Sequence, residues 1–60
     1  MGEINLYYNN HYIGTFWDVI PKNECDKNGF NQIHYHATKL YGTHWNEIEI
    51  NGERYKVLDN

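Results

Sequence analysis

The sequence predicts an α+β domain: two β-hairpins share one small antiparallel sheet, and one short helix lies between them (ββαββ). Three observations carry that expectation. Asn51-Gly52 separates two alternating runs, and Asn9-Asn10 separates two apolar, β-prone runs. Phe30, Ile33, Ala37, Leu40 and Tyr41 recur at helical spacing ahead of Gly42. The alternative is a small all-β barrel in which residues 31–39 form a strand. It rests on the weak helix propensity of Ile33-His34-Tyr35-His36-Ala37-Thr38.

The first hairpin joins Ile4-Asn5-Leu6-Tyr7-Tyr8 to Tyr12-Ile13-Gly14-Thr15-Phe16-Trp17. Asn tolerates positive φ, so Asn9-Asn10 suits a two-residue turn. That turn sets Tyr8 against His11, Tyr7 against Tyr12 and Leu6 against Ile13. One face then carries Ile4, Leu6, Tyr8, Ile13, Thr15 and Trp17. The other carries Tyr7, Tyr12 and Phe16.

Residues 18–28 are mostly polar and hold the one proline, which reads as a loop with a helical turn opening at Pro21. The helix is expected from Phe30 to Tyr41, with Lys39 in the last turn to suit its dipole. In the last hairpin, Asn51-Gly52 supplies the positive φ that a type I′ turn needs at both centres. It sets Ile50 against Glu53, Glu49 against Arg54, Ile48 against Tyr55, Glu47 against Lys56 and Asn46 against Val57. Ile48, Ile50, Tyr55 and Val57 share a core face, and two opposite-charge pairs share the other. The same register puts Trp45 and Leu58 on the charged side. Either the sheet end curls and buries them, or they form an exposed apolar spot.

Sixty residues make a single domain near the lower limit for independent folding. Cys25 is the only cysteine, which excludes an internal disulfide and a four-cysteine zinc site. Six Tyr, two Trp and two Phe stand beside eleven Ile, Leu and Val, so aromatic packing carries much of the core. Five scattered cations and a net charge of −3 make a poor footprint for duplex DNA. No apolar stretch approaches the roughly 18 residues of a membrane span. The N-terminus lacks the features of a signal peptide, and the single thiol suits a reducing cytoplasm.

Metal and catalytic motifs are weak. On a strand, His34 and His36 would share a face and could chelate with Cys25, His11 or His44; on a helix they diverge. Cys25 lies between Glu24 and Asp26, which disfavour a thiolate. No paired carboxylates, phosphate loop or nucleophile elbow is present. Neither cofactor nor metal is expected, and neither is enzyme activity. Gly14-Thr15-Phe16 together with Ala37, Lys39, Leu40, Tyr41 and Gly42 resembles short stretches of AP2-type DNA-binding domains. The spacing between the two is longer here and that family's basic strands are missing, so the likeness assigns no role.

The aromatic excess points to a protein-interaction module that binds another protein or itself. Tyr7, Tyr12, Phe16, Trp45 and Leu58 are the expected partner-binding residues. Nine asparagines and abundant Tyr, Ile and Lys in a short frame opening at Met1 resemble products of A/T-rich phage or mobile elements. That composition suggests an inhibitor or adaptor acting on a host protein. The alternative is a single-stranded nucleic-acid binder that stacks bases on Tyr7, Tyr12 and Phe16.

Overall fold

The computed structural model describes residues 2–22 and 26–57. Along the chain run β1 (Gly2–Tyr8), β2 (His11–Asp18), α1 (Lys27–Tyr41), β3 (Glu47–Ile50) and β4 (Glu53–Lys56). The strands form one open antiparallel sheet in the order β2-β1-β3-β4, which leaves β2 and β4 as edges. This is the expected ββαββ fold. Residues 31–39 are helical and the sheet does not close, so the barrel alternative is set aside.

Both hairpin turns follow from residues that accept positive φ. Asn9 and Asn10 have φ of 48° and 68°, and Asn51 and Gly52 have 53° and 84°. The first turn is also clamped to the entry of β3. Asn9 N–H donates to Asn46 Oδ1 at 3.2 Å, and Asn46 Nδ2 donates back to Asn9 Oδ1 at 3.0 Å. In the last hairpin the pairs Ile50–Glu53, Glu49–Arg54, Ile48–Tyr55 and Glu47–Lys56 form as expected. The Val57 amide donates to the Asn46 carbonyl at 3.0 Å and extends that ladder by one rung.

The first hairpin departs from the expected register. Tyr8 meets His11 and Tyr7 meets Tyr12, but Leu6 meets Gly14 rather than Ile13. The irregularity leaves Ile13 as the extra residue of a β-bulge. Because side chains alternate with period two, one extra residue exchanges the faces of everything beyond it. Phe16 therefore turns inward, opposite Ile4, and is 7% exposed. Trp17 turns outward and is 65% exposed, with Thr15 on the same side. The expectation of Phe16 outside and Trp17 inside is reversed.

The helix covers one face of the sheet. Ile4 and Leu6 of β1, Phe16 of β2 and Ile48 and Ile50 of β3 pack with Ile33 and Ala37 of α1. Ile4, Leu6 and Ile33 are the largest fully buried side chains, each contributing about 1.5–3 kcal/mol through burial. The helix starts three residues earlier than expected because Asp26 caps it, its Oδ1 accepting from the Gly29 amide at 3.1 Å. Gly42, at φ 80°, ends it and donates its amide to the Thr38 carbonyl at 2.9 Å. The helical turn expected to open at Pro21 would run through residues 23–25, which lie outside the described residues.

Trp45 precedes β3 and is buried, 7% exposed, with its Nε1 donating to the Gly42 carbonyl at 2.8 Å. The curled, buried arrangement holds for Trp45, whose ring belongs to the core. Its expected neighbour Leu58 lies outside the described residues, as does Cys25.

Candidate interaction surface

One helix cannot cover both faces of a four-stranded sheet, and the outer face stays open. Alternation places Glu3, Asn5 and Tyr7 of β1 there, with Tyr12, Thr15 and Trp17 of β2. Glu47 and Glu49 of β3 and Arg54 and Lys56 of β4 complete it. Tyr12 is 59% exposed and, with Trp17, forms the aromatic part of the β2 side. Tyr7 is half-buried between them and the charged strands.

Hydrogen bonds cross this face in a single direction. The Tyr12 hydroxyl pairs with Thr15 Oγ1, and Thr15 donates to Asn5 Oδ1 at 2.6 Å. Asn5 Nδ2 donates to Glu49 Oε1 at 3.0 Å, and the Tyr7 hydroxyl reaches the same oxygen at 3.2 Å. Three strands are thus joined by donors that converge on one carboxylate. The Tyr7 and Tyr12 rings meet edge to face, with centroids 5.8 Å apart. Arg54 lies 3.8 Å over the Tyr7 ring and donates to Asn10 Oδ1 at 2.7 Å. These contacts hold the side chains in place, so little ordering entropy would be lost in a contact made on this face.

The expected charge pairs behave differently from their register. Glu49–Arg54 and Glu47–Lys56 are true cross-strand neighbours, but neither closes into an ion pair. Arg54 prefers the Tyr7 face, and Glu49 is occupied by neutral donors.

The histidines diverge because residues two apart on a helix point to different sides. His36 Nδ1 bonds the buried Asp18 carboxylate at 2.6 Å and ties α1 to the end of β2. His34 instead contacts the Trp45 ring, centroids 5.1 Å apart, and His44 stacks on Tyr8 at 4.0 Å. Among the described residues, no three His, Cys, Asp or Glu side chains converge as metal ligands would.

Of the five expected partner-binding residues, the structure brings Tyr7 and Tyr12 together on the open face. Phe16 and Trp45 go to the core, and Leu58 lies outside the described residues. Sequence reasoning missed Trp17. The available signal was Gly14, since an isolated glycine inside an alternating strand often marks a bulge. It also missed Arg54 as part of the aromatic face, because the sheet order that brings β4 near β1 is a tertiary property.

No helix among the described residues is long and apolar enough to cross a membrane. Comparison with protein-family models, curated proteins and solved structures finds no match for the chain.

Proposed function

We propose that this domain is a non-enzymatic protein-interaction module whose outer sheet face binds a partner protein. The observation that carries the reading is the exposure of Tyr12 and Trp17 on a sheet face that no helix covers. Tyr and Trp are enriched at interface hot spots because a rigid ring gains contact area at low entropy cost. The hydrogen-bonded floor formed by Thr15, Asn5, Tyr7 and Glu49 supplies polar rim contacts around those anchors. The asparagine-rich composition adds the proposal that the partner is a host protein, which this chain inhibits or adapts.

The test is affinity capture from host lysate with the native chain and with a Tyr12→Ala/Trp17→Ala variant. A partner that is retained by the native chain and lost at least tenfold in the variant supports the reading. Equal recovery by both chains would refute it. Sedimentation of both chains distinguishes self-association from a different partner.

A second reading, binding of single-stranded nucleic acid, gains from Arg54, which lies on the Tyr7 ring, and from Lys56 on the same face. Glu3, Glu47 and Glu49 share that face and oppose a phosphate backbone. Trp17 fluorescence during oligonucleotide titration at low salt decides it, since a bound base would quench this ring.

A further inference from the structure

The opposite edge of the sheet carries a second surface. A groove of about 840 Å³ runs between α1 and the β3–β4 hairpin, on the side where the helix leaves β4 uncovered. Half-buried Phe30, Tyr55 and Val57 form its floor above the buried Trp45 and Ile48, with the Phe30 and Tyr55 rings edge to face at 5.4 Å, and Asn31 and His34 of α1 add polar surface. Its rim is basic. Lys27 of α1 and Arg54 and Lys56 of β4 line it, three of the chain's five Lys and Arg residues.

The charge balance of this groove inverts that of the molecule. The chain carries eight Asp and Glu and a net charge of −3, yet among the described residues none of those carboxylates lines the groove, and Glu53 reaches it only by accepting from the Tyr55 hydroxyl at 2.8 Å. Arg54 is held over Tyr7, but Lys27 and Lys56 are exposed. Among the described residues, neither ammonium has a salt-bridge partner. An apolar trough with cations along its lip matches a ligand that is apolar on one side and anionic on the other.

We infer that this groove docks a short acidic amphipathic segment of a partner protein, its apolar side chains on Phe30, Tyr55 and Val57 and its carboxylates at Lys27 and Lys56. This site lies on the β4 edge, whose Arg54 and Lys56 also border the outer face, whereas Tyr12 and Trp17 belong to the β2 edge, so substitution of Tyr12 disables the outer anchors without touching the groove.

Trp45 beneath the groove floor reports occupancy once Trp17→Phe removes the other indole. The probe is a synthetic amphipathic peptide of Glu and Leu, compared with its Lys-for-Glu counterpart and with oligothymidylate. The expected result is a saturable shift of Trp45 emission with the acidic peptide alone. It should weaken at least tenfold in Lys27→Glu/Lys56→Glu and with added salt, and persist in Tyr12→Ala. Lys27→Gln/Lys56→Gln, which adds no carboxylate, gives the same direction of change if the double charge reversal disturbs the fold. Absence of a shift overturns the inference, as does an equal response to the basic peptide or to oligothymidylate. So does unchanged affinity in a folded double-lysine variant.

Discussion

The ring of Tyr41 lies against the backbone at Gly14: a Cβ added there would stand 2.3 Å from Tyr41 Cε1. The Tyr41 hydroxyl donates to the neighbouring Thr15 carbonyl at 2.7 Å, and its ring meets Phe16 with centroids 6.4 Å apart. Gly14 is therefore a contact requirement rather than a backbone one, since its φ is not positive. Gly14→Ala should destabilise the domain by about 1–3 kcal/mol as the ring is displaced. In a Tyr41→Ala background the same change should become neutral or stabilising, because glycine weakens a strand that no longer needs it. Urea unfolding of the four chains gives the coupling, and additive effects would show that the two residues act separately.

The bulge makes a prediction opposite to simple alternation. Phe16→Ala should cost about 3–5 kcal/mol, the range for truncating a buried aromatic ring. Trp17→Ala should cost less than about 1 kcal/mol, because its ring is largely in solvent. Chemical denaturation of the two variants decides between the registers. If Trp17→Ala were the more damaging, Ile13 would not be the extra residue.

The contrast between the two hairpins shows what is readable in such a chain. In residues 46–57 the Asn51-Gly52 turn, the Ile48/Ile50/Tyr55 alternation and the opposed charges all demand one register, and that register forms. In the first hairpin the Asn9-Asn10 turn is equally readable, yet the faces beyond it depend on Gly14. What Gly14 answers to is Tyr41, on another element and far along the chain. Local pattern cannot supply that contact. The helix shows the same limit on a smaller scale: its apolar spacing marks its body, while its start depends on the Asp26 side chain reaching the Gly29 amide. Half of the candidate surface is hidden for the same reason, since Trp17 and Arg54 reach it through the bulge and the sheet order.

Asp18 is 6% exposed, and it is held by His36 Nδ1 at 2.6 Å and by the Val19 amide at 2.8 Å. His36→Ala removes one of these partners and leaves a buried carboxylate oxygen unpaired, at a cost of about 1–3 kcal/mol. His36→Gln, which can still donate to the carboxylate, should recover part of that loss. Thermal unfolding of both variants against the native chain provides the measurement. Equal destabilisation by Ala and Gln would mean that the ring's packing, not its hydrogen bond, joins α1 to β2.

Arg54 tests how the outer face is held. It stands opposite Glu49 in the register, but its guanidinium rests on Tyr7 and bonds Asn10. A double-mutant cycle of Arg54→Ala with Tyr7→Leu should give a coupling of about 0.5–1 kcal/mol, typical of an exposed cation–π pair. The cycle with Glu49→Gln should give a coupling near zero at moderate salt, because no ion pair is closed and Glu49 is satisfied by Asn5 and Tyr7. Reversed magnitudes would mean that Arg54 leaves the ring for the carboxylate in solution. The aromatic face would then lose the cation that holds Tyr7 in place beside Tyr12.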